Sequence, residues 1–288
     1  SRFCVMATGC LSATNTPDLS GLEKYSGKLL HTGKWPKENI DFTGETVGII
    51  GTGSSAIQSI PLIAKEAKHL YVFQRTPNYS VPAANTPTNL EEEKEIKSRY
   101  AEFRAKCASR VTGYEMYLNE KSALSVGENE LKKEYERRWA NGGLMFLGGF
   151  SDILTDPMAN ETAAQFIREK ISNIVTDPEV AKILMPEHKV GCKRLCADTG
   201  YYETFNRSNV SLIDVSTDPI KEITNRGLMT HESEFEFENL VMATGFDAMT
   251  GCLLYTSDAA DEALGVDLGG RRINKKKKGG GGGGGGGG

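Results

Sequence analysis

The sequence lacks the features that would assign it to a membrane or to nucleic acid. It has no run of about eighteen apolar residues, so no membrane span is expected. Basic residues do not outnumber acidic ones: 34 Lys plus Arg stand against 38 Asp plus Glu, a net charge of −4. That balance gives no support for a nucleic-acid partner. The six cysteines are scattered. Cys192 and Cys196 lie close together, but no second Cys or His pair completes a metal-ligand spacing, and no metal is expected. No leader pattern opens the chain at Ser1-Arg2-Phe3. Reduced thiols in a cytoplasmic protein are therefore the expectation, and the glycosylation triplets at Asn78, Asn160 and Asn206 are discounted. With 288 residues there is room for one or two domains.

The most informative stretch is 45–76. An apolar run, Val47-Gly48-Ile49-Ile50, meets a glycine loop, Gly51-Thr52-Gly53-Ser54-Ser55-Ala56. A helical spacing of Ile57, Ile60, Ile63 and Ala64 follows, and then a second apolar run, 69–73, that ends in Gln74-Arg75-Thr76. Strand, tight turn, helix and strand predict a dinucleotide-binding βαβ unit. Gly51 permits the turn, Gly53 lets the backbone approach a pyrophosphate, and Ala56 allows close helix-to-strand packing. The helix N-terminus offers free N–H groups and the positive end of its dipole. An Asp or Glu at the end of the second strand would suit a free ribose 2′-hydroxyl. Arg75 stands there instead, beside Thr76, and a forked cation suits the 2′-phosphate of NADP.

Two apolar strands ending in Ala-Thr-Gly bracket this unit, one at Ala7-Thr8-Gly9 and one at Ala243-Thr244-Gly245-Phe246-Asp247. Small strand ends let backbone pass close to a cofactor or a second domain. The pair predicts an NADP domain set within a larger flavoprotein domain. The expected divisions are a partial FAD-domain strand over 1–15, a loop-rich linker over 16–44 and the NADP domain over 45–205. Within the NADP domain, about 89–185 reads as an inserted helical subdomain, with helices expected over 89–110, 128–139, 160–172 and 178–184. The short strands of 206–251 are expected to return to the FAD domain as an antiparallel meander. Residues 252–288 end in four lysines and ten glycines. They resemble translated sequencing adapter and are set aside from fold reasoning.

Several of these residues carry a resemblance to a known family. Tyr25-x-Gly27-x-x-x-His31-x-x-x-Trp35-Pro36 resembles the type I Baeyer–Villiger monooxygenase fingerprint, with Tyr25 in place of Phe. The glycine loop, Gln74-Arg75-Thr76-Pro77, Lys193-Arg194-Leu195 and Ala243-Thr244-Gly245-Phe246-Asp247 are similar to the same family. The resemblance implies a fold with two dinucleotide-binding domains, holding FAD and NADP. The implied chemistry converts ketones to esters or lactones with O2 through a C4a-peroxyflavin. Arg194 matches the family's active-site arginine, while Arg75 and Lys193 match its 2′-phosphate contacts. Thr52, Ser54, Ser55 and Gln58 match positions around the pyrophosphate. Gly27, His31 and Trp35 match linker residues that couple the domains. Ala7, Thr8, Gly9, Thr244, Gly245 and Asp247 match FAD-proximal positions. The family's first glycine fingerprint and the acidic partner of the active-site arginine find no counterpart here, so the chain alone is expected to be inactive. Two alternatives stay open: a related flavin monooxygenase oxidising nitrogen or sulfur, and an NADP-binding module without chemistry.

Overall fold

The computed structural model describes residues 3, 11, 13–110, 113–114 and 117–246. Ala7, Thr8, Gly9 and Asp247, and the whole of 252–288, lie outside the described residues. Two compact units divide the chain. One comprises Ser1–Pro17 and Gly245–Gly288. In it Thr14 and Phe246 form an antiparallel bridge, and the Asn15 amide donates to the Gly245 carbonyl at 2.9 Å. The other unit is Asp18–Thr244.

The larger unit is α/β. Its strands are β1 (Lys28–His31), β2 (Thr46–Ile50), β3 (His69–Gln74), β4 (Ser80–Pro82), β5 (Cys196–Asp198), β6 (Val210–Asp214), β7 (Ile220–Ile223), β8 (Gly227–Thr230), β9 (Glu234–Glu236) and β10 (Asn239–Met242). Its helices are α1 (Ser54–Glu66), α2 (Leu90–Ser98), α3 (Tyr100–Ala108), α4 (Glu128–Asn141), α5 (Pro157–Ile174), α6 (Pro178–Leu184) and α7 (Tyr201–Thr204). The main sheet is parallel, in the order β1-β10-β2-β3-β6, so β2-α1-β3 is a Rossmann-type βαβ unit. β4 and β5 form a separate parallel pair, and β7-β8-β9 form an antiparallel sheet.

Side-chain alternation sorts the main sheet's two faces. Val47, Ile49, Leu70, Val72 and Val241 join one core, with Ile57, Ile60 and Ala64 of α1. Ile50, Phe73, Leu240 and Met242 point the other way, into a second core with Ile223, Leu228 and Phe237. Strands buried on both faces read as continuous apolar runs, which is the mark of a parallel sheet between two layers. Gly48 sits on the second face. A Cβ there would lie 2.7 Å from the Phe237 ring, so this mid-strand glycine makes room for an aromatic from the covering layer.

The structure departs from the sequence-based divisions in two places. The 16–44 segment carries a true strand, β1, and β1 pairs in register with β10. The 206–251 segment does not return wholesale as a meander. β6 pairs in parallel with β3, β10 inserts between β1 and β2, and only β7 to β9 are antiparallel. The main sheet therefore runs across both expected boundaries. The physical reason is visible in β10, whose four residues are all buried and need cover on both faces. Helices α2 to α6 lie between residues 90 and 184. α2 and α3 bury no residue, whereas α5 buries Ala163, Phe166, Ile167 and Ile171.

Candidate dinucleotide site

The site forms where the parallel strands end. Gly51 follows β2 with φ +107°, a conformation that glycine adopts freely. Its amide donates to the Phe73 carbonyl at 3.0 Å, and a Cβ on it would stand 2.7 Å from the Ala243 carbonyl oxygen. The turn is thus pressed between the ends of β3 and β10. Thr52 is buried, and its hydroxyl donates to the Thr76 carbonyl at 3.0 Å, tying the loop to the exit of β3. Gly53 is different: a Cβ there would meet nothing within 4 Å. Gly53 is also the N-cap of α1 and offers no side-chain cap, so the first-turn N–H groups stay free for an anion. Ala56 is fully buried, and Gln58 Nε2 donates back to the Ser54 carbonyl at 3.1 Å.

The cations come from two distant segments held side by side. Gln74 Nε2 donates to the Ile183 carbonyl at 2.8 Å, and Tyr79 Oη to the Pro186 carbonyl at 3.1 Å. Asn78 Nδ2 donates to the Arg194 carbonyl at 3.3 Å and lies 3.2 Å from Cys196 Sγ. These bonds lay residues 183–196 along the exit of β3, which brings Lys193 and Arg194 to the same end of the sheet as Arg75. All three cations are exposed, and among the described residues no ion pair occupies any of them. Burial pushes the Cys196 thiol up, while the Ser54 hydroxyl and the Arg194 charge pull against it. β5 therefore lies beneath the start of α1.

The β4–β5 pair is locked by Asp198. Ser80 Oγ donates to Asp198 Oδ2 at 2.5 Å, and the Tyr201 amide donates to Oδ1 at 2.8 Å. Burial raises the Asp198 pKa above its ordinary value despite these bonds. A raised folded-state pKa means that the folded chain holds this proton more tightly than the unfolded chain does. Asp198 then weakens the fold as pH rises through the window beginning near its ordinary value. Asp198→Asn cannot titrate. Its unfolding free energy, compared with the wild type by urea titration, is expected to gain as pH rises from near the ordinary carboxylate pKa and to level off once Asp198 of the folded wild type has ionised. A pH-independent difference would count against this account.

The fingerprint residues of the 16–44 segment separate into two roles. His31 ends β1, accepts the Gly33 amide on Nδ1 at 2.9 Å and places Nε2 3.4 Å from Thr244 Oγ1. It joins the strand-end threonine at the sheet edge that holds the glycine turn. Gly27 serves packing, since a Cβ there would stand 2.4 Å from Tyr25 Oη and 2.5 Å from the Glu238 carbonyl oxygen. Tyr25 Oη donates to the Phe237 carbonyl at 3.0 Å, and burial and the nearby Glu238 raise its pKa. Trp35 packs on Phe42, with ring centroids 6.3 Å apart. Gly245 lies in the smaller unit. Sequence reasoning missed Asn78, which binds the backbone of Arg194. Its partner is 116 residues away, so local pattern carries no signal for it.

A parallel sheet with a glycine turn opening onto a bare helix N-terminus defines a dinucleotide-binding domain of the two-domain flavoprotein kind. No protein-family model matches the chain. It is 43% identical over 255 residues to cyclohexanone 1,2-monooxygenase of Acinetobacter sp., covering 87% of this chain and 46% of that protein. It is 38% identical over 261 residues to phenazine N-monooxygenase PhzNO1 of Lysobacter antibioticus, covering 87% and 47%. The crystal structure of OTEMO in complex with FAD and NADP superposes with a TM-score of 0.83 at 37% identity, covering 86% of this chain and 48% of that one. The chain is thus homologous to flavin monooxygenases of the Baeyer–Villiger class, and it spans about half the length of the relatives it matches.

Proposed function

We propose that the chain supplies the NADP(H)-binding half of an FAD-dependent monooxygenase that converts a ketone to an ester or lactone with O2. The observation that carries this reading is the open face of Gly53 beside a bare α1 N-terminus, with three exposed cations that form no ion pair among the described residues. The pyrophosphate would lie against Gly53 and the amides of Ser54 and Ser55, with Arg75 and Lys193 on the 2′-phosphate. Thr52 ties this loop to the Thr76 carbonyl, and the exposed Gln58 bonds the Ser54 carbonyl in the first turn of α1. A bound flavin would supply hydride acceptance and oxygen activation. Arg194, exposed at the edge of the loop, would stabilise negative charge developing on the substrate oxygen. His31 and Thr244, joined across two strand ends, would respond to cofactor occupancy at that end of the sheet. The working compartment is the cytoplasm.

A second reading, oxygen transfer to an amine nitrogen, is supported by the phenazine N-monooxygenase relative. The decisive experiment uses the full-length gene product, purified with FAD and offered NADPH, O2 and either a cyclic ketone or an aromatic amine. Lactone formation with ketone-stimulated NADPH oxidation is the expected result. Formation of N-oxide with no lactone would replace the first reading by the second.

A further inference from the structure

His188 is the least explained polar side chain near the site. Both of its ring nitrogens are buried, and among the described residues neither has a hydrogen-bond partner. Its ring stacks on Tyr79, with centroids 5.1 Å apart and planes 14° apart. Buried polar atoms left unpaired are uncommon, and each calls for a ligand, an ion or a water to complete it. His188 lies in the segment that three hydrogen bonds strap along the exit of β3, between Pro186, bonded by Tyr79, and Arg194, bonded by Asn78. Asn160 of α5 fixes the same segment by accepting the Val190 amide at 3.0 Å. The ring is therefore held firmly on the strand exit that presents Arg75, five residues before Lys193.

The charges around it are few. On the Tyr79 side, Arg168 Nη1 donates to Tyr79 Oη at 3.3 Å, and Arg168 is itself paired with Glu161. Burial holds His188 below its ordinary range, and Lys193, on the strap, adds to this by repelling a protonated imidazole. Glu187 and Lys189, its sequence neighbours, are exposed.

We infer that His188 is a specificity-determining residue for the ribose 2′-phosphate: a phosphate seated at Arg75 and Lys193 is completed by His188, which takes up a proton from solvent as the phosphate binds. This rests on the NADP(H) reading above. The phosphate cancels the Lys193 repulsion and gives a ring N–H an acceptor, directly or through one water. Both effects favour the imidazolium. A dinucleotide without the 2′-phosphate does neither.

The test is calorimetric titration of NADP+ and NAD+ into the full chain and its His188→Gln and His188→Asn variants. It is run from pH 6 to pH 8.5, in paired buffers of different ionisation enthalpy. A phosphate ionises near pH 6, so on its own it loses protons on entering a cationic site. The variants should show that loss, and the wild type should offset it with about half a proton or more. NADP+ affinity should fall about threefold to tenfold in the variants at pH 6 and converge with the wild type at pH 8.5. NAD+ affinity should be equal in all three. As a second readout, one of the four histidines should titrate higher by NMR with NADP+ than with NAD+. Equal proton counts for wild type and variants, or an equal loss for NAD+, would overturn the assignment while leaving the NADP site standing. Failure of the wild type to bind NADP+ at any pH would overturn the site reading and this inference with it.

Discussion

Gly51→Ala is expected to destabilise the larger unit strongly, whereas Gly53→Ala is expected to keep its stability and bind the dinucleotide weakly. The two glycines stand one residue apart and look equivalent in the sequence. At Gly51 a side chain must take φ +107° and press a Cβ to 2.7 Å from the Ala243 carbonyl oxygen. A non-glycine residue in such a region costs about 1–3 kcal/mol, and the contact here is with backbone, which cannot rotate away. Crowding in a packed interior adds a further ~1–3 kcal/mol. The total is a large part of a domain's net stability of about 5–15 kcal/mol. At Gly53 the added methyl meets nothing within 4 Å, so stability should stay within about 1 kcal/mol of the wild type. On the proposed dinucleotide reading that open space would take the pyrophosphate, and filling it should weaken NADP+ by about tenfold or more, ~1.4 kcal/mol. Urea titration and calorimetric binding separate the two effects. A stable Gly51→Ala, or a Gly53→Ala that binds as well as the wild type, would refute the division of labour.

Removal of Arg75 or Lys193 should act on one ligand and not on its close analogue. Each cation is exposed and carries no ion pair among the described residues, so Arg75→Gln and Lys193→Gln leave no buried group stranded. Their stability cost should lie within about 0.5 kcal/mol. A hydrogen bond to a charged group contributes about 1.5–3 kcal/mol, so each variant should bind NADP+ about tenfold to a hundredfold more weakly. NAD+ has no 2′-phosphate and should be unaffected. The NADP+ loss should also shrink at high salt, because exposed charges are screened over about 8–10 Å at moderate ionic strength. Equal losses for both dinucleotides would move the phosphate site elsewhere.

The βαβ core was legible because its signals are local. The apolar runs of 47–50 and 69–73 and the helical spacing of Ile57, Ile60 and Ala64 fall where the structure buries them. The β1 strand was hidden, because Lys28-Leu29-Leu30-His31 is a short run between turn residues and reads as loop. The place of β10 was hidden for another reason. A buried apolar run does not say which strands flank it, and β1 and β2 are chosen by tertiary contact. Within the site, Thr52 and Gln58 match a cofactor pattern, and the structure bonds Thr52 to the Thr76 carbonyl and the exposed Gln58 to the Ser54 carbonyl. The residue type was readable and the direction of the side chain was not. Asn78 bonds Arg194 and His188 stacks on Tyr79, partners distant in the chain.

The position of β10 also governs how the chain is made. Asn239 Nδ2 bonds Glu45 Oε2 across 194 residues, and β10 lies between β1 and β2 in the sheet. A ribosome working at about 5–20 residues per second needs roughly 10–40 s to reach the far side of that gap. Throughout that interval β1 and the β2-β3 ribbon cannot meet, and the edge of β2 carries unpaired amides and carbonyls. The nascent chain therefore passes a long stage with an open, apolar strand edge, which is the kind of surface that holding chaperones cover.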